Sequence, residues 1–208
     1  VHERRGVGQE LQPVHAFDLK ALAGQQVVVR RARAGETLTT LDGTARKLDP
    51  SMLVIADAER PAALAGIMGG QASEVTAGTT DVLLEVATFS PRVVRAGRRA
   101  LGLSTDASYR YERGIDDAAV PRTAEIAAGL IAMVAGGRIE LVLDVGADVP
   151  ARKPVALTPA RVSRLLGDPV SADETVALLT SIGFAVARSG DEFHVTPPGE
   201  TCAVAMIV

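Results

Sequence analysis

The stretch "LVIADAERPAALAGIMGG", residues 53 to 70, limits the fold more than any other. Two short apolar runs, Leu53 to Ala56 and Ala62 to Ile67, flank a turn-like "DAERP". Short unbroken apolar runs bounded by turn residues read as buried strands. Gly66, Gly69 and Gly70 then strip side chains from the end of the second run. A glycine carries no Cβ and lets backbone come close to a neighbour. Two readings stand at this point: a tight turn with close strand packing, or the wall of a small-molecule pocket. "GIMGG" is followed by no Lys-Ser/Thr, so it is not a phosphate-binding P-loop, and its spacing does not fit the dinucleotide fingerprint.

The neighbouring segments follow the same plan. Val27 to Val29 form a β-branched run, and Asp42-Gly43 supplies a turn after Leu38 to Leu41. "DVLLEVATF" reads as a further strand with Glu85 in its middle. Ser90 as N-cap, Pro91 at the first helical position and Gly102 as stop predict a helix. A longer helix is expected over about 117–135, ending at Gly136-Gly137, with a strand in "RIELVLDVG". "VGADVPARKP" reads as a linker. Beyond it, Thr158-Pro159 caps a short helix, Ser171 with Glu174 forms a capping box for a second, and "GFAVARSGDEFHVTPP" reads as a hairpin. The expected fold is α+β: a mixed-sheet domain over 1–148, then a small winged-helix-like α+β module over 149–208. Both ends, "VHERRGVGQEL" without Met and the unperiodic "GETCAVAMIV", are expected to be flanks outside the fold or the ends of a fragment.

Composition narrows the function classes. Apolar residues make up 47% of 208, enough for a core, but aromatics are 3% and Trp is absent. Leu, Val, Ile and Ala must therefore fill the interior. A net charge of −3 gives no global attraction to nucleic acid, so any such contact needs a local basic patch. The one cysteine, Cys202, excludes an internal disulfide and a Cys-based zinc site. The sequence has no apolar run near about 18 residues and no signal peptide, which predicts a soluble cytoplasmic protein with no membrane partner.

Few residues announce chemistry on their own. Glu85 lies on a solvated strand face or in a functional pocket, and pattern alone favours the solvated face. Buried, it would need a partner. "LGLSTDASYRYERGID" offers the hydroxyls of Ser104, Thr105 and Ser108 and the charges of Arg110, Glu112 and Arg113, and reads as a connecting loop with solvated ion pairs. His15 alone reads as structural or surface. The three histidines are not grouped for metal, and no Ser-His-Asp spacing occurs. Pattern reasoning ends at an α+β domain with a candidate pocket.

Taken in order, "PVHAFDL", "VVVRRARAGETLTTLDG", "LVIADAERPAALAGIMGG", "DVLLEVATFSP" and "RRALGLSTDASYRYERGID" say more. This series resembles the editing module of bacterial phenylalanyl-tRNA synthetase beta subunits, and "LTPARVSRLLG", "LLTSIGFAV" and "FHVTPP" resemble the small domain that follows it. The resemblance runs from about Gln12 to Pro198. It implies post-transfer editing: water cleaves the ester of mischarged Tyr-tRNA(Phe), with neither a metal nor a covalent protein nucleophile. It places Glu85 where the family reads the tyrosine hydroxyl, Gly66 and Gly69 beside the ring, Thr105 and Ala107 at the rim near the ester and terminal adenosine, and His15 beside the site, placing water or the tRNA end. A carboxylate at the far end of the ring rewards a phenol and leaves itself unpaired against phenylalanine, a logic that discriminates by roughly 10⁴–10⁵. Arg92, Arg95 and Arg99 share a helix face, as contacts to tRNA backbone or as a solvated stripe. The implied partners are tRNA(Phe) and the synthetase alpha subunit in an (αβ)2 parent. No cofactor is expected for this stretch; the ATP and Mg of the parent serve aminoacylation, whose core is absent here.

The departures keep two alternatives open. The family has a longer segment upstream, with Asn-Tyr-Val just before "PVHAFD", where "ERRGVGQEL" stands here, and roughly Ser-Trp-Arg-Phe-Asp after the double Pro, where "GETCAVAMIV" stands. A non-catalytic structural or assembly fragment and a freestanding aminoacyl-tRNA deacylase are the rival readings.

Overall fold

The computed structural model describes residues 12–117, 119–145 and 153–196, together with the backbone of 204–207. The chain divides into two compact units, 1–148 with 201–208, and 149–200. The α+β class expected from the sequence holds, and the sheets are antiparallel throughout the described residues rather than mixed.

In the first unit the strands are β1 (Val14–Asp18), β2 (Val28–Arg31), β3 (Thr37–Thr39), β4 (Ala45–Lys47), β5 (Leu53–Ala56), β6 (Pro61–Leu64), β7 (Met68–Gly69), β8 (Val82–Val86) and β9 (Leu141–Asp144). Its helices are α1 (Pro91–Ala100), α2 (Asp106–Tyr111) and α3 (Ala119–Ala135). The run that opened the sequence reading becomes β5 and β6, paired in a sheet of order β2-β5-β6-β7. Every residue of β6 is buried, which is why its sequence does not alternate. The turn between them closes on Asp57, whose carboxylate accepts from the amides of Ala23, Glu59 and Arg60 at 3.1, 2.8 and 2.7 Å. Asp42-Gly43 turns β3 into β4, with Gly43 at φ +75°.

β8 is covered on both faces. Leu84 and Val86 pack with Val120, Ala124 and Ala128 of α3. Leu83, on the opposite face, packs with Phe17 of β1 and with Ile55, Ala62 and Ala63 of the β5–β6 sheet. Three small residues, Ala62, Ala63 and Ala65, stand in that layer at 5% exposure or less. Pro91 opens α1 as expected, but the Ser90 side chain makes no cap bond; its carbonyl accepts from Val93 and Val94 instead.

The second unit holds β10 (Val155–Leu157), α4 (Pro159–Leu166), α5 (Ala172–Ser181), β11 (Ala185–Ser189) and β12 (Glu192–Thr196). Thr158 caps α4, Ser171 accepts from the Glu174 amide at 3.2 Å, and the hairpin gains β10 to give the order β10-β12-β11. Phe193 and Val195, on alternate positions of β12, form its core. The tail read as a flank supplies β13 (Val204–Ile207), paired between β8 and β9 in the order β1-β8-β13-β9. Residues 201–208 thus group with the first unit, whereas the division read from sequence assigned them to the second. The linker stretch 146–152 lies outside the described residues.

Candidate functional site

A recess of about 380 Å³, its open mouth included, lies in the first unit. Its wall takes His15 from β1, Glu85 from β8, Gly66 to Gly69 from the glycine turn and β7, Phe89, and Ala107 with Tyr111 from α2. Five of the residues singled out in the sequence, His15, Gly66, Gly69, Glu85 and Ala107, therefore meet around one space.

Strand register explains the first pair. His15 stands directly across from Glu85, as Phe17 does from Leu83. Side chains alternate along a strand, so these four share the face that looks toward β5 and β6. Glu85 thus points into a covered layer, not to the solvated face that pattern favoured. The layer is filled at Phe17 and Leu83 and opens at His15 and Glu85 into the recess.

Electrostatics follow from that position. The Glu85 carboxyl has no hydrogen bond or ion pair among the described residues, and burial pushes its pKa up to about 8. It is mostly protonated at neutral pH. Burial lowers the pKa of His15, so its imidazole is neutral there. The ring stands edge-on to Phe17 at 4.4 Å. The Tyr111 phenol is pushed up by burial and by the nearby Glu85, and donates to the Ala87 carbonyl at 3.0 Å.

The glycines have different reasons. Gly66 has φ +68°, and a Cβ there would lie 3.0–3.1 Å from Phe89, Tyr111 and Val94. A Cβ on Gly70 would overlap the Ala62 carbonyl. On Gly69 it would meet the His15 ring.

Thr105 stands behind the recess rather than on its wall. Its hydroxyl donates to the Ile67 carbonyl at 2.7 Å and accepts from the Ser108 amide at 3.1 Å, as the cap of α2. It ties α2 to the glycine turn. The stretch read as a loop of solvated ion pairs is this short helix, and Glu112 at its end is buried. Its carboxylate meets Arg98 at 2.6 Å and Arg113 at 2.9 Å, with Arg95 at 3.8 Å. Arg95 is thereby committed in part to Glu112, while Arg92 and Arg99 are exposed. Sequence reasoning missed Phe89 and Tyr111, and read the Glu112 ion pairs as solvated where the carboxylate is buried. The one available signal was the four-residue spacing of Ala107 and Tyr111, which share a helix face.

The B3/4 domain family model matches residues 8–136. The chain belongs to the B3/4 domain family. Among curated proteins, this B3/4 domain is similar to the phenylalanine-tRNA ligase beta subunit of Salinibacter ruber, 47% identical over 90% of this chain and 23% of that subunit. The subunit of Anaeromyxobacter dehalogenans is 48% identical over 86% of the chain and 23% of its own length. That of Thiobacillus denitrificans is 44% identical over 90% and 24%. The chain spans about a quarter of the length of these relatives. They bear out the resemblance carried by the five ordered motifs. Among the described residues, no helix is long and apolar enough to cross a membrane, and no group of three or more His, Cys, Asp or Glu is placed to hold a metal ion.

Proposed function

We propose that this recess is the editing site of a phenylalanine-tRNA ligase beta subunit, hydrolysing Tyr-tRNA(Phe). The observation that carries the reading is Glu85: a carboxyl without a partner, on a covered strand face, aimed into a small cavity. Such a group has hydrogen-bonding capacity to spare, and a phenol uses it. The tyrosine ring enters this recess with its hydroxyl on Glu85.

Water oxygen bonds to the ester carbonyl carbon, the bond to the ribose oxygen breaks, and a proton passes from water to that oxygen. The neutral His15 imidazole accepts a hydrogen bond from the attacking water. Ala107 borders the ester side, and Thr105 holds the wall in place. The step uses no metal or cofactor; the ATP and Mg of the ligase reaction serve amino-acid activation outside this chain. Arg92 and Arg99 contact the tRNA(Phe) backbone, and the alpha subunit completes the (αβ)2 enzyme.

The test is deacylation of Tyr-tRNA(Phe) and Phe-tRNA(Phe) by the complete synthetase carrying this segment. Glu85→Ala removes one hydrogen bond, worth about 0.5–1.5 kcal/mol while the carboxyl is protonated, so at neutral pH Tyr clearance falls roughly two- to tenfold and the Tyr/Phe ratio drops. An unchanged ratio overturns Glu85 as the hydroxyl reader.

A further inference from the structure

We infer that Gly69 is a positioning residue for His15: the space left by its missing side chain is the seat of the imidazole, not room for a substrate ring. The His15 ring occupies the place where a Cβ on Gly69 would stand, overlapping Cε1 and lying 2.8 Å from Nε2. Real Cβ atoms essentially never approach so closely.

Backbone conformation is not the reason for this glycine. Gly66 has positive φ and Gly69 does not. Alanine fits the Gly69 backbone and fails only on space. Nor does the strand have freedom to retreat. Gly69 pairs with Ala63, its carbonyl accepts from the Leu41 amide at 3.0 Å, and Gly70 donates to the Ala62 carbonyl at 2.8 Å. The other atom near the virtual Cβ is Leu41 Cδ1 at 3.0 Å, the end of a flexible side chain. His15 must therefore be what moves. Its ring also stands edge-on to the fully buried Phe17 at 4.4 Å. The imidazole thus rests against both Phe17 and Gly69, on the residue directly across the strand pair from Glu85.

The first experiment is NMR on the full chain with labelled histidine. The chain has three histidines, His2, His15 and His194, and a His15→Gln variant identifies the signal. The titratable groups that face this end of the recess are Glu85 of β8 and Tyr111 of α2. In Gly69→Ala the His15 Cε1–H signal shifts and its titration moves back up toward the ordinary 6.5, because the ring is pushed out of its seat. His194 does not move. An unmoved His15 signal overturns the inference.

The second experiment rests on the editing reading above and uses the complete synthetase. Clearance of Tyr-tRNA(Phe) is measured for Gly69→Ala, His15→Ala and the pair. If Gly69 acts through His15, the double variant stays within about twofold of His15→Ala alone, since coupled residues are not additive. Losses that multiply overturn the inference and make Gly69 a direct contact of the ring. A synthetase that clears no Tyr-tRNA(Phe) at all refutes the editing reading, and the NMR result still decides the role of Gly69. Should Gly69→Ala fail to fold, adding His15→Ala restores folding by emptying the seat; failure to restore it overturns the inference.

Discussion

Desolvation sets the proton affinity of Glu85 near pH 8. Its folded pKa lies above the ordinary 4.5, so the folded chain keeps a proton that the unfolded chain releases. The associated stability is complete below about pH 4.5 and is lost as pH rises through about 8. Glu85→Gln flattens this profile, and above about pH 8 it is the more stable form, by an amount of order 3 kcal/mol once partial exposure is allowed for. Urea unfolding at a series of pH values measures it; parallel profiles for the two proteins contradict it. On the proposed editing reading, the same proton governs selection. Ionised Glu85 accepts a stronger bond from a phenol and is a costlier orphan beside an apolar ring, so the Tyr/Phe clearance ratio rises as pH passes up through about 8 and stays level in Glu85→Gln. How far was this residue legible in the sequence? "VLLEV" is apolar on both faces, so alternation could not say which face was wet. Covering layers from α3 and from β5–β6 decided it, and these are contacts between segments far apart in the chain.

Elements differ in how plainly the sequence declares them. β5, β6, β8, α1 and α3 stand out because apolar runs end at turn residues, at Pro91 or at Gly102 and Gly136. β1 did not, since "VHAFD" mixes His and Asp into a five-residue strand that pairing with β8 stabilises. α2 did not either: six residues carry too little periodicity, and its bonds to Ile67 and the arginines of α1 are long-range. Those bonds can be tested. Thr105→Val removes the α2 cap and the tie to the glycine turn, lowering stability by about 2 kcal/mol in urea unfolding. A loss indistinguishable from zero would mean that α2 is held by packing alone. Glu112 carries the opposite pH sign to Glu85. The hydrogen bond from Arg98, with the charges of Arg98, Arg113 and Arg95, lowers its pKa, so its stabilisation is present above about pH 4.5 and fades as pH falls. Glu112→Gln unfolds at lower urea than the parent at neutral pH, and the gap closes in acid. A gap that persists in acid assigns the effect to packing.

At the scale of the whole molecule, two units share one chain, with 149–200 set between segments of the first. Limited proteolysis is expected to cut between about Val145 and Val155, and the fragment spanning 155–196 to resist further digestion. First cuts inside α3 or α5 would count against two independent units. The return of 204–207 to the β8 edge was not legible, because "VAMI" is too short and uniform to name its partner; sheet order follows from which edges remain open. The layer of Ala62, Ala63 and Ala65 between the two four-stranded sheets of the first unit has one more consequence. Where the wall of a site is built from large side chains, truncating them one by one maps it. Here the packed residues are already the truncated form, so an alanine scan would pass over this layer in silence. Its sensitivity lies in the other direction: a single added methyl pair, as in Ala63→Val, overpacks a layer with nowhere to expand. This layer therefore resists substitution in the direction of growth, the direction that truncation never probes.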